Sequence, residues 1–396
     1  MMNKKLKQTR IQLSLGFFLA VAGLGYSCEG VQPKKTENCI IAQAAQPEAH
    51  IKKPTVKIAL LLDTSNSMDG LINQAKSQLW DIVNQFTYAK CGNSVRPDLQ
   101  IALYQYGNDG LSSREGYIQQ VIGFSNDLDE LSEKLFSLTT NGGEEFCGQV
   151  IQTSLRQLDW GKNPDDLKMI FIAGNEPFTQ GKLNYKDAVT NAMEKDVVVN
   201  TIFCGAYEQG IHTEWKRGAL MSGGEYMAIN HNRRQIHIAT PYDDIIIELN
   251  TKLNKTYISY GASGKAKMRL QSEQDQNAMA LEEAVAVKRA VSKSSRMYKN
   301  KSWDLVDAAE SEDFQWSEVE KEHLPESLKG KSDAALEAYV KKQRQERKRI
   351  QEEIKKANIK REAYIAKHQK DSRGELENAM LSALKQQAAK KNYRWD

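Results

Sequence analysis

The 396-residue sequence has no Cys-x-x-Cys pair among its five cysteines, and no two of its six histidines have zincin spacing, which removes the common zinc frameworks. It also has no Gly-x-x-x-x-Gly-Lys-Ser/Thr loop to cradle phosphates and no Gly-x-Ser-x-Gly elbow to present a nucleophile. Gly264-Lys265-Ala266 lacks the spacing and the hydroxyl residue of a phosphate loop and reads as linker. No catalytic constellation is marked, so a non-enzymatic role is expected. Long apolar runs are scarce as well: the single candidate for contact with a bilayer, Leu13 to Leu24, is too short to span one comfortably.

That short run carries information of its own. Lys4, Lys5, Lys7 and Arg10 precede it, giving the cationic start and apolar middle of an export signal over 1–27. Gly25-Tyr26-Ser27-Cys28 resembles the lipobox at which bacterial lipoproteins are cleaved and acylated, which implies lipidation of Cys28. The usual Leu stands one place upstream, as Leu24, so plain cleavage after Ser27 and release into the periplasm stays open. Residues 28–54 mix Gln, Lys, Ala and Pro without hydrophobic period and read as a tether. Export favours disulfides; Cys147 with Cys204, and Cys39 with Cys91, are the expected pairs.

From residue 55 the pattern alternates. Val56 to Leu62 is a nearly continuous apolar run, as in a strand buried on both faces. Leu71, Ala75, Leu79, Ile82, Val83 and Phe86 then form a helical stripe. Further strands are predicted at 99–106, 117–122, 167–173, 197–203 and 226–229, the second closing a hairpin with the first. Helices are predicted around 128–135, 150–158 and 188–193, and from Thr240, read as an N-cap before Pro241, to about 253. The expected fold class is α/β: a doubly wound, mostly parallel sheet with helices on both faces over 55–255. Beyond Gly264 strand signals stop. Residues 265–396 read as an all-helical, charged region with helices at about 277–299, 302–310 and 332–369.

In the longest of these helices a heptad seam runs Leu336, Val340, Gln343, Arg347, Ile350, Ile354, Ala357, Arg361, Tyr364. Polar residues at three places argue against a strong coiled coil and favour packing of the helix within its own chain. Charge divides the same way. Residues 331–396 hold 18 Lys and Arg against 10 Asp and Glu, a net +8, and residues 28–330 are left at −8. Internal docking and contact with anionic phosphates of lipid or lipopolysaccharide are the two readings. Nucleic acid is not an expected partner of an exported protein.

The chemistry-bearing string is Asp63-Thr64-Ser65-Asn66-Ser67, at the end of the first strand and before the first helix. Ligands of open α/β sheets gather beyond the carboxyl ends of the strands, and one carboxylate with two hydroxyls suits a hard dication. In that setting the string resembles the DxSxS signature of von Willebrand factor type A domains, as found in VWA-containing bacterial lipoproteins. The resemblance covers residues 55–255. It implies a metal-ion-dependent adhesion site (MIDAS) with Asp63, Ser65 and Ser67 as ligands of Mg²⁺, or of Mn²⁺ or Ca²⁺, and a Thr and an Asp from two later loops.

Both later loops depart from the family pattern. Thr139-Thr140-Asn141-Gly142-Gly143-Glu144-Glu145 places Glu144 and Glu145 about where the Thr belongs, with Thr140 as a fallback, and Ala173-Gly174-Asn175-Glu176 has lost the Asp. Compensation is the expectation: Glu144 or Glu145 as the replacement ligand, with Thr140, Asn175 and Glu176 in an outer shell. The implied function is binding of a protein or cell-envelope component through an acidic group, weakly, by a protein held at the membrane by its lipid and facing periplasm or cell surface. The alternative is an envelope scaffold with a vestigial metal site and contacts made by the helical tail. Oligomeric state is not encoded in these signals.

Overall fold

Period-two alternation inside apolar runs gives each central strand two greasy faces, and the chain covers both. The computed structural model describes residues 53–395 apart from 67, 93–94, 231, 233–236 and 369–374. In chain order the elements are β1 (Thr55–Asp63), α1 (Asp69–Thr87), β2 (Ala89–Cys91), β3 (Asp98–Tyr106), β4 (Ile118–Ser125), α2 (Leu128–Phe136), α3 (Cys147–Gln157), β5 (Leu167–Gly174), α4 (Tyr185–Glu194), β6 (Val198–Phe203), α5 (Tyr207–His212), α6 (Trp215–Met221) and β7 (Tyr226–Ala228). Helices then dominate: α7 (Asp243–Asn254), α8 (Gly264–Leu281), α9 (Glu283–Lys293), α10 (Leu305–Ala308), α11 (Glu326–Lys329), α12 (Asp333–His368) and α13 (Glu375–Lys390), before a last short strand, β8 (Tyr393–Trp395).

The six-stranded sheet has the order β4-β3-β1-β5-β6-β7. Every pairing is parallel except β3 with β4, the hairpin at one edge. On β1, Val56, Ile58, Leu60 and Leu62 join one core and Ala59 and Leu61 the other. The first core is roofed by α1, α2, α7 and α9, the second by α3, α4 and α6. Burial of each such aliphatic side chain contributes about 1.5–3 kcal/mol. Among the described residues no helix is long and apolar enough to cross a membrane.

The C-terminal region is built into this body. Val285, Val287, Ala290, Ile350, Ile354, Met380 and Leu384 belong to the same core cluster as β1, and Lys52–Asp396 forms one compact unit. The expected helix at 277–299 is instead two antiparallel pieces, because Glu282 is extended (φ −171°, ψ 143°) between α8 and α9. That break lays α9 across α1 and α7. The α12 seam is the buried face as spaced, and two of its three polar interruptions are anchors: Arg347 reaches Asp304 and Asp307 at 2.6 and 2.9 Å, and Arg361 reaches Asp243 at 2.8 Å. The basic tail therefore docks internally on acids of the preceding body.

The Thr240 hydroxyl oxygen accepts from Tyr242 N at 3.2 Å, as an N-cap does, and the Asp243 carboxylate answers by accepting from Thr240 N at 2.8 Å and from its hydroxyl at 2.9 Å. The short helices α5 and α6, with too few turns to show a period, and the β2–β8 pair, which joins Ala89–Cys91 to Tyr393–Trp395, lay outside what periodicity signals.

Candidate metal centre

β1 runs between β3 and β5, with Asp63 opposite Tyr106 and Leu62 opposite Ala173. The end of β1 therefore opens at the carboxyl edge, in the crevice where loops from both neighbours meet. Thr64 N donates to Tyr106 O at 2.9 Å, Asn141 N to Thr64 O at 3.0 Å, and Asn108 Nδ2 to Thr139 O at 3.0 Å. These bonds tie the 63–68, 107–110 and 139–146 loops into one rim. Asp63 is fully buried; its Oδ1 accepts from Ser65 N at 2.8 Å, an Asx-type turn that fixes the loop.

Three glycines make the floor. A Cβ at Gly107, whose φ is +75°, would lie 2.6 Å from Glu145 Cγ and 2.9 Å from Asp63 Oδ1. One at Gly143 would lie 2.6 Å from Gly107 O, and one at Gly174 would lie 3.2 Å from Asp63 Oδ2. Only residues without side chains let the three loops approach this closely. The consequence is that Glu145, just ahead of α3, turns inward beside Asp63 and is 4% exposed.

Between the acidic alternatives the geometry chooses. Glu145 enters the pocket; Glu144 is exposed. Thr140 Oγ1 is committed to Asp69 Oδ1 at 2.5 Å. Asn175 is half-buried and the Glu176 side chain is exposed, although a main-chain bond from Glu176 reaches Glu145 and Glu176 O accepts from Trp215 Nε1 at 2.7 Å. Ser67, Cys28 and Cys39 lie outside the described residues. Tyr106 and Asn108 are site-framing residues that the sequence presented only as a strand end and a hairpin turn; the Tyr106 hydroxyl donates to Ala173 O at 2.9 Å.

The electrostatics are unbalanced. Burial, then the neighbouring Glu145 carboxyl, holds Asp63 well above the usual carboxylate range, and burial raises Glu145. Among the described residues no Lys, Arg or His pairs with either group. Asp63 Oδ2, Ser65 Oγ and Glu145 Oε2 are buried without a hydrogen-bond partner. While both are ionised the two carboxylates cannot satisfy each other, since both only accept, and the upward shift of Asp63 is the mark of that mismatch. Such orphaned oxygens are costly, and a hard dication satisfies all three together, so the donor set fits a divalent metal.

Two sulfur atoms lie near. Cys147 and Cys204 are buried thiols, their pKa values pushed up by burial and by the Asp63 and Glu145 charges, and Cys147 Sγ sits 3.8 Å from the Tyr106 hydroxyl. The expected Cys147–Cys204 disulfide is absent. Both residues stand at the site end of the sheet as the sequence implied, but Cys147 faces Tyr106 at the start of α3. Cys91 is likewise a buried free thiol, donating to Lys391 O at 3.4 Å. Another group of metal-capable side chains, Glu320, Glu322 and His323, lies on the surface with both glutamates exposed.

Residues 57–222 match the model of the von Willebrand factor type A domain. No curated protein matches the chain. Among solved structures, BatB from Bacteroides thetaiotaomicron is 14% identical, with 44% of this chain and 90% of that one covered at a TM-score of 0.34. An aerotolerance-related membrane protein from Bacteroides fragilis is 15% identical, with 45% and 93% covered at 0.31. Proximal thread matrix protein 1 from mussel byssus, with a zinc-occupied MIDAS motif, is 14% identical with 44% and 42% covered at 0.34, so this chain spans less than half the mussel protein's length.

Proposed function

Because residues 57–222 form a von Willebrand factor type A domain, we propose that the protein is a metal-dependent binding module of the cell envelope, exported and lipid-anchored through Cys28, and not an enzyme. Asp63, Ser65 and Glu145 would hold the ion, with Ser67 of the same loop as a further hydroxyl ligand. A bound Mg²⁺ or Mn²⁺ would supply a fixed positive centre that draws oxygen donors and pins three loops into one binding face. The observation that carries this reading is the trio of buried, unpartnered oxygens on Asp63, Ser65 and Glu145.

The scaffold alternative placed partner contacts on a helical tail. The buried seam of α12 is spent on Asp304, Asp307 and Asp243 inside the chain, which leaves the loop face at the carboxyl edge as the better candidate. Calorimetric titration of the exported protein with Mg²⁺ and Mn²⁺ tests the reading. Saturable binding that Asp63→Ala abolishes is expected; titrations of the wild type that show only dilution heat would refute it. A pull-down from envelope extract, with and without chelator, then identifies the partner.

A further inference from the structure

Resting on that reading, we infer that Glu145 is a built-in carboxylate of the metal centre, which by lying inside the pocket closes the site to acidic partners. The side chain is not a passing neighbour. Gly107 and Gly143 are packed so that a Cβ on the second would stand 2.6 Å from the carbonyl of the first, and this contact presses the 139–146 loop onto the end of β3. Glu145 Cγ then sits 2.6 Å from where a Cβ of Gly107 would be, and Oε2 ends buried and unpartnered, as Asp63 Oδ2 and Ser65 Oγ are. A carboxylate delivered so deliberately, with no cation of the protein to meet it, is aimed at a metal.

The charge balance follows directly. Asp63 and Glu145 together carry −2 when ionised, which neutralises a dication from inside the pocket and weakens its pull on a third carboxylate. Around the mouth the exposed acids Asp69, Asp109, Glu144 and Glu176 add repulsion. Asp69 holds Thr140, Asp109 bonds through its amide to Gly142 O, and Glu176 influences Glu145, so all four belong to the loops that frame the pocket. A partner carboxylate would have to displace Glu145 and cross that rim. The wild-type face therefore selects against acidic groups, and the selecting residue is Glu145.

The test uses Mn²⁺ and a fluorescein-labelled oligoglutamate as probes on the exported protein, with Glu145→Ala and Glu145→Gln variants checked for folding by circular dichroism. Wild type should bind Mn²⁺ and give no anisotropy change with oligoglutamate. Glu145→Ala should bind Mn²⁺ at least about tenfold more weakly, the scale of loss seen even for groups behind the ligands, and should gain oligoglutamate binding that chelator abolishes. Glu145→Gln, which keeps the shape but not the charge, should lose Mn²⁺ affinity without opening the site. Mn²⁺-dependent oligoglutamate binding equally strong in wild type and Glu145→Ala, unchanged Mn²⁺ affinity in Glu145→Ala, or no gain of peptide binding would each overturn the inference while leaving the metal-dependent reading standing. Failure of wild type to bind Mn²⁺ would overturn both.

Discussion

Replacing Arg347 by Met removes the strongest single link between the long C-terminal helix and the body beneath it. The guanidinium donates from Nη1 to Asp304 at 2.6 Å and Asp307 at 2.9 Å, from Nε to Thr256 Oγ1 at 3.0 Å and from Nη2 to Thr256 O at 2.7 Å. It also lies 4.2 Å over the Tyr257 ring. Asp304 is fully buried and Asp307 nearly so. Without Arg347 the buried Asp304 has no countercharge and Asp307 keeps only Lys299, 3.8 Å away, and removal of one partner from a buried pair costs about 3–5 kcal/mol. Burial already pushes the Asp304 carboxyl upward while Arg347 pulls it down, so the variant should take up a proton there and recover part of its deficit as pH falls. Urea unfolding followed by tryptophan fluorescence reads this well, since Trp303 is buried next to Asp304. Adding Asp304→Asn and Asp307→Asn to Arg347→Met should restore much of the loss, because amide oxygens keep the bonds from Ile258 N and Asn300 N that the carboxylates now accept. A loss under about 1 kcal/mol for Arg347→Met would refute the anchoring role, as it would match an ordinary exposed pair. Two separate unfolding transitions would refute the shared core.

Three further outcomes follow from the site and its surroundings. Asp63 and Glu145 have carboxyls raised by burial, so in chelator the folded state binds protons more tightly than the unfolded chain, and stability should fall as pH rises from ~pH 4 towards neutrality. Saturating Mg²⁺ should flatten that profile, and Tm curves of equal slope with and without the ion would contradict the assignment. Gly143→Ala puts a Cβ 2.6 Å from Gly107 O; it should cost more than about 1 kcal/mol and weaken Mn²⁺ binding, so unchanged values on both counts would exclude the close loop approach. Gln387→Leu removes the amide paired with buried Asn200 on β6 and should cost about 1–3 kcal/mol in urea unfolding, whereas a neutral result would show that α13 is not fixed through this pair.

Much of the sheet was readable from local pattern. The runs at 56–62, 99–106 and 167–173 are long and bounded, and they became β1, β3 and β5, the strands that place the site. Asp63 and Ser65 were legible for the same reason, since their role depends on lying directly after a buried strand. The helices between Tyr207 and Met221 and the break at Glu282 were not legible, because short elements carry too few turns to show a period and the break has neither Gly nor Pro to announce it.

The sequence by itself therefore determined the parallel sheet, the loop that carries Asp63 and Ser65 and the stripe by which α12 packs, all of which follow from spacing along a single element. Tertiary structure alone turned Glu145 inward and left Glu144 exposed, kept Cys147 and Cys204 apart as thiols, and turned Arg347 and Arg361 from flaws in a heptad into buried anchors. Each of those outcomes depends on what a side chain meets across the fold: two glycines from different loops pressed together, or aspartates far away in the chain. Spacing along one element holds no record of such meetings.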